Sequence, residues 1–266
     1  MTAAAIQGRP LWYELMTTDM AAAERFYATV VGWTAAPFPG AGMPYTIMQR
    51  AGEIPAGGVM TLPDEVKAQG VPPHWMLYVG VDTLEDAAAH AAKLGGGALS
   101  PVIDVPNVGR MQTFKDPQGA AFTVYQPASP PQQPEGPAEV GDVSWLELYT
   151  TDNVAAMAFY GELFGWKATE TMDMGPMGVY RMFGRTNEHS IGGMMTKTPD
   201  MAQVPTAWML YFRVPDVHAA AERATANGGK VLNGPMEVPG GDMVVQCMDP
   251  QGGAFSMHHR KQETGH

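Results

Sequence analysis

A chain of 266 residues with 16 basic and 27 acidic side chains carries a formal net charge of −11; that balance repels phosphate backbones and anionic lipid, argues against nucleic-acid and membrane-surface partners, and favours a neutral or cationic ligand. Cys247 is the single cysteine, which excludes an intramolecular disulfide and a multi-cysteine zinc site, and reads as a small buried apolar residue in a reducing compartment. Residues 1–10 lack a basic start followed by a long apolar run, and no stretch is long enough to cross a bilayer, so a soluble, cytoplasmic protein is expected.

Taken in chain order, an extended apolar run from Leu11 leads to Asp19, suited to capping a helix start, and about three helical turns end near Gly32, suited to the left-handed C-terminal position. Ala23, Phe26, Tyr27, Val30 and Val31 form the apolar stripe of that helix. Short strand-like runs follow around residues 45–49 and 57–61, giving a β-α-β-β-β module. A second module opens at Trp75, passes Asp82 and Gly95, and continues through strand-like runs at 98–105, 111–115 and 121–125. Residues 127–141, rich in proline, read as an extended linker.

Beyond the linker the pattern returns. The segment LWYELMTTDMAAAERFYATVVGW from Leu11 aligns without gaps on SWLELYTTDNVAAMAFYGELFGW from Ser144, so that Trp12, Glu14, Asp19, Phe26, Tyr27, Gly32 and Trp33 recur 133 positions later. The same offset carries Trp75-Met76-Leu77-Tyr78 onto Trp208-Met209-Leu210-Tyr211, and Asp116-Pro117-Gln118-Gly119 onto Asp249-Pro250-Gln251-Gly252. Asp152/Gly165 and Asp216/Gly229 repeat the helix bracketing, and Ala156, Phe159, Tyr160, Leu163 and Phe164 repeat the stripe. The expected architecture is α+β: two tandem copies, 1–126 and 142–266, each of two modules whose eight strands curl around a cavity with helices on the outer face.

The Asp-helix-Phe-Tyr-x-x-x-x-Gly-Trp segment and the late Asp-Pro-Gln-Gly turn resemble the vicinal oxygen chelate superfamily of glyoxalases, extradiol dioxygenases and bleomycin- and fosfomycin-resistance proteins. The resemblance spans residues 11–126 and 144–259 and implies a duplicated glyoxalase-like fold. It also implies a divalent metal held by His, Gln or Glu from the cavity-facing strands. Here those places fall on Trp12 and Trp145, seven residues before the capping Asp, on Met76 and Met209, and on Thr123 and Ser256. The remaining stretches, Gly57 to Leu62 and Ser190 to Thr196, contain no His, Asp or Glu. Indole and thioether groups do not make the oxygen and imidazole site such ions need, so no metal and no other cofactor is expected.

Strand alternation places Glu14 and Met16 on the face of Trp12, and Glu147 and Tyr149 on the face of Trp145. A carboxylate in an apolar strand is costly unless paired, solvated or protonated. Glu14 and Glu147 are therefore either polar anchors or general bases for a bound molecule, or acceptors of structural hydrogen bonds. His74 shares the face of Met76, and His258 lies two residues beyond Ser256; each is a candidate acid or base, or a solvated or structurally bonded strand-end residue. His259 and His266 fall in a polar tail. Tyr45 and Tyr180 occupy matching places and, with Trp12, Trp75, Trp145 and Trp208, are expected to wall the cavities. The 21 methionines suggest a soft lining. Gly57-Gly58 and Gly192-Gly193 lack the features of a phosphate loop and suggest strand bending or close backbone approach.

Two functions follow as expectations. One is a metal-independent binding protein of the resistance type, monomeric or homodimeric, holding an apolar or cationic small molecule through Trp12, Tyr45, His74, Met76, Trp145, Tyr180, Met209 and His258. The other is a glyoxalase-like lyase or dioxygenase-like enzyme that uses Glu14 or Glu147 as acid-base groups.

Overall fold

The computed structural model describes residues 6–131 and 136–261. In the first half β1 (Pro10–Thr17) leads into helix α1 (Met20–Val30), followed by β2 (Thr34–Pro37), β3 (Tyr45–Arg50) and β4 (Ile54–Thr61). A short helix α2 (Asp64–Ala68) precedes β5 (His74–Gly80), α3 (Leu84–Lys93), β6 (Gly97–Ala98), β7 (Ile103–Val105), β8 (Gly109–Lys115) and β9 (Ala121–Pro127). The second half repeats the order with β10 (Val143–Thr150), α4 (Asn153–Phe164), β11 (Lys167–Asp173), β12 (Val179–Gly184) and β13 (Gly192–Thr196). Its last module is β14 (Ala207–Arg213), α5 (Val217–Ala226), β15 (Lys230–Glu237), β16 (Met243–Met248) and β17 (Ala254–His259).

Each half forms one sheet, in the orders β2-β3-β4-β1-β5-β9-β8-β6 and β11-β12-β13-β10-β14-β17-β16-β15, with β7 paired to β8 beside the first path. In every module the opening strand runs parallel to the last one, β1 with β4, β5 with β9, β10 with β13 and β14 with β17. A parallel pair needs a long crossover, and the helix supplies it. The α+β, tandem glyoxalase-like architecture is as the repeats predict. The run expected at 98–105 is two short strands, because Ser100-Pro101 interrupts it and proline cannot donate to the ladder. His259 lies on β17 rather than in a tail, and His266 falls outside the described residues.

Asp19, Asp152 and Asp216 cap α1, α4 and α5 as expected, Asp19 accepting one backbone N–H bond from the first turn and the other two accepting two each. Asp82 does not: α3 has Thr83 at its cap with no side-chain bond, and the Gln126 amide oxygen on β9 accepts from Leu84 N at 3.0 Å instead. Gly165 holds the left-handed position after α4 with φ 75°. After α5 that position belongs to Gly228, φ 86°, not Gly229, where a Cβ would lie 2.9 Å from the Phe26 ring and from the Met248 carbonyl.

The chain packs into two compact units, and each takes one module from each half. One contains residues 6–12, 76–131 and 145–208; the other contains 13–75, 137–144 and 209–261. In the second of these the stripe of α1 faces α5 and its strands, with Phe26 and Tyr27 5.8 and 5.2 Å from the Phe255 ring and Trp33 4.8 Å from Phe212. The first is built the same way: Phe159, Tyr160 and Phe164 of α4 surround Phe122 of β9 at 6.0, 5.4 and 5.7 Å. Apolar burial of these aromatic rings is the main term holding each unit together.

A buried relay recurs in both units. Trp75 Nε1 donates to the Tyr27 hydroxyl at 2.9 Å, which donates to Asp249 Oδ2 at 3.0 Å; Trp208 Nε1 reaches Tyr160 at 3.1 Å, which donates to Asp116 Oδ2 at 3.0 Å. The second oxygen of each Asp accepts two backbone N–H groups of its own Asp-Pro-Gln-Gly turn. The turn is thus pinned to a helix of the other half. Trp75 and Trp208, expected as cavity walls, face the helices instead, since strand alternation sends them to the side opposite Met76 and Met209. Trp33 and Trp166 tie down the chain ahead of the opposite copy, donating to the carbonyls of Gly141 and Gly8 at 2.8 and 2.7 Å. Cys247 is buried and its thiol is pushed up to about 12 by that burial.

Candidate functional site

The two strand glutamates are buried, Glu14 at 6% and Glu147 at 7% exposure, on the face opposite the fully buried Leu15 and Leu148. Tyr45 donates its hydroxyl to Glu14 Oε2 at 2.8 Å. Yet Tyr45 belongs to β3 and Glu14 to β1, with β4 between them: Gly58 of β4 stands opposite both Glu14 and Ile47. The tyrosine ring crosses that strand over Gly58, where a Cβ would fall 1.9 Å from the Tyr45 oxygen. Glycine is required for the contact.

The second copy repeats the device. Gly193 stands opposite Glu147 and Met182, and a Cβ there would lie 2.2 Å from the Tyr180 oxygen. Tyr180 accepts from Trp145 Nε1 at 2.9 Å and bonds to Glu147, while Tyr149 donates to Glu147 Oε2 at 2.7 Å. Burial, reinforced by the charge of Glu147, drives the Tyr180 phenol well above its usual range, so it stays protonated and serves as a donor. The first copy has Met16 where the second has Tyr149. The phenol that Tyr149 offers Glu147 thus has no sequence counterpart at position 16.

The other candidates are dispersed. His74 Nδ1 lies 2.8 Å from the Pro72 carbonyl, and burial lowers its pKa against the pull of that carbonyl. Met76 is buried, Trp12 and Met209 half-buried. His258 bonds to Ser144 and Asp242 at 2.8 and 2.9 Å. At the places where the resemblance puts a metal, Thr123 is engaged with Thr113 Oγ1 at 3.0 Å and Ser256 is wholly buried. Among the described residues no group of three His, Cys, Asp or Glu side chains stands close enough to hold an ion. Indole, thioether and hydroxyl groups do not fit a hard divalent cation. Tyr149, Gly58 and Gly193 were not singled out as site residues by sequence, although Gly58 and Gly193 each lie within the glycine pairs that suggested close approach.

A model of the Glyoxalase/Bleomycin resistance protein/Dioxygenase superfamily matches residues 142–257, and a Glyoxalase-like domain model matches residues 13–125. The chain is 34% identical over 253 residues to the Mycobacterium tuberculosis protein named Putative glyoxylase CFP32, covering 94% of each. The chain belongs to this superfamily, the vicinal oxygen chelate proteins. It is also 31% identical over 265 residues to the Anthracycline biosynthesis protein DauV of Streptomyces sp. strain C5, covering 94% of this chain and 92% of that one. Among solved structures it resembles the Mn(II)-bound glyoxalase of Novosphingobium aromaticivorans (TM-score 0.67, 14% identity, 98% and 84% of the two chains). Homoprotocatechuate 2,3-dioxygenase of Arthrobacter globiformis is similar too (TM-score 0.68, 13% identity, 100% and 84%). At such identities the likeness concerns the fold. No described helix is long and apolar enough to cross a membrane.

Proposed function

We propose that this chain is a metal-independent member of the superfamily that binds a small apolar or cationic molecule on the Glu–Tyr faces of one or both sheets. The observation that carries this reading is the clasped carboxylate: Glu14 and Glu147 are buried beside aromatic rings and oriented by tyrosine hydroxyls. A preoriented carboxylate flanked by π-faces attracts a planar cation, which gains both an ion pair and ring contacts on leaving water. The net charge of −11 draws the same class of ligand. Donor groups unsuited to a divalent ion at the superfamily's metal positions support the metal-independent half of the reading. The Streptomyces relative is named an anthracycline biosynthesis protein, which favours a polycyclic aromatic ligand of that kind. The reading carries a cytoplasmic setting and a monomer or homodimer, with no nucleic-acid or membrane partner.

The test is a fluorescence titration of an anthracycline into the chelator-treated full chain. Saturable binding should persist without metal and weaken about tenfold in Glu14→Gln or Glu147→Gln, the loss of one charge-assisted contact. Binding that needs added Mn²⁺, or that neither variant alters, contradicts the reading.

A second reading, an enzyme with Glu14 or Glu147 as acid-base group, draws on the glyoxylase name of the mycobacterial relative and on the burial of both carboxylates. It predicts turnover that both Gln variants abolish while ligand affinity remains.

A further inference from the structure

Away from the two glutamates, one compact unit brings together a serine, a histidine and an aspartate. Ser144, half-buried at the start of β10, has its Oγ 2.8 Å from His258 Nδ1. On the opposite edge of that ring, Nε2 stands 2.9 Å from Asp242 Oδ2. Asp242 is itself fixed, since its Oδ1 accepts from the Lys261 backbone N–H at 2.8 Å. Burial pushes the Asp242 carboxyl up, but the Lys261 amide and the His258 ring outweigh it and leave the group below its ordinary value of 3.8. In the tautomer with hydrogen on Nε2, an ionised Asp242 accepts the Nε2–H bond and the Nδ1 lone pair faces the serine.

The geometry points to Ser144 as a nucleophile activated by His258, with Asp242 orienting the ring, in a site that accepts the acyl group of small uncharged or cationic esters. Such a constellation is recognised by contacts and roles rather than by chain order, and either ring nitrogen can serve as base if the other is held by a carboxylate. Ser144 Oγ also lies 3.1 Å from the Tyr211 carbonyl, so its single hydrogen is shared between that oxygen and the imidazole. Rotation about the Cβ–Oγ bond delivers it to Nδ1. Ser144 is half-buried and the side chains of His258 and Asp242 are 15% and 32% exposed, so each member of the relay keeps some contact with solvent.

The reaction balances without a cofactor. Ser144 Oγ bonds to the ester carbonyl carbon as its proton passes to His258 Nδ1. The bond to the leaving alkoxy or aryloxy group then breaks, and that group departs with the proton from His258. Water attacks the acyl-serine, giving one proton to His258, which returns it to Ser144 Oγ as the carboxylic acid leaves.

The test treats the native full chain with a fluorophosphonate, maps the adduct by mass spectrometry, and follows p-nitrophenyl acetate hydrolysis in parallel. The expected results are an adduct on Ser144 and a p-nitrophenol burst, both absent in Ser144→Ala, with the rate lowered at least about tenfold in His258→Gln, the loss of a positioned general base. The adduct needs no variant, so it is informative even if a substituted chain folds poorly. No adduct at Ser144, an adduct formed equally fast in His258→Gln, or native hydrolysis by Ser144→Ala overturns the assignment. None of these outcomes bears on Glu14 or Glu147, so the binding proposal stands or falls separately.

Discussion

Tyr27 and Tyr160 each satisfy two buried partners with one hydroxyl, accepting from a tryptophan and donating to an aspartate. Removing that oxygen strands both, so Tyr27→Phe or Tyr160→Phe should cost about 1–3 kcal/mol in a urea denaturation, the penalty for buried polar groups left unpaired. A change within error for both would show that the relays contribute nothing. The aspartates at their ends titrate unusually: burial raises Asp116 and Asp249 above 3.8, against the pull of backbone amides and the tyrosine. A carboxyl more easily protonated in the folded chain adds stability that is complete below its unfolded value and is lost as pH rises through its folded value. Asp116→Asn and Asp249→Asn should therefore flatten the decline of stability with rising pH just above 3.8, read from denaturation midpoints across a pH series. The recurrence of Trp, Tyr and Asp at one offset was visible in the chain, but their meeting was not, because the partners come from different halves. Gly58 and Gly193 show the same limit. Their doublets suggested close approach, while the approaching group, a tyrosine two strands from its carboxylate, depends on sheet order.

At the scale of elements, the aspartate that opens each helix was legible in three modules out of four. Asp152 and Asp216 accept two backbone N–H bonds each, so Asp152→Ala and Asp216→Ala should cost about 0.5–2 kcal/mol. Asp82→Ala should stay within about 0.5 kcal/mol, the usual range for a surface change that removes no cap, since Gln126 serves α3 instead. If thermal melts give all three the same loss, this assignment of caps is wrong. The exception could not be read locally: its capping oxygen comes from a strand 42 residues away. The helical stripes fared better. Ala23, Phe26, Tyr27 and Val30, and likewise Ala156, Phe159, Tyr160, Leu163 and Phe164, are all buried, because a 3.6-residue period needs only its own helix to be recognised.

For the whole molecule, the duplication was plain from the 133-residue offset, whereas the sharing of modules was not. Hydrogen-bonded sheets follow the halves, while compact units combine one module of each. A fragment ending at residue 131 would strip α1 of Phe212, Phe255 and Asp249, its partners in the core. Each half alone should lack a cooperative monomeric transition by circular dichroism, and mixing the two should restore it. Independent melting of each half at the midpoint of the intact protein would contradict this. The same level of organisation bears on function, since superfamily membership supplies a fold that elsewhere holds Mn(II), and the side chains here decide whether it does so again. A calorimetric titration of Mn²⁺ into the chelator-stripped full chain addresses that most directly. The expected trace shows only dilution heat, with a melting temperature unmoved by the ion; saturable binding of one Mn²⁺ per half, with a rise in melting temperature, would refute the metal-independent account.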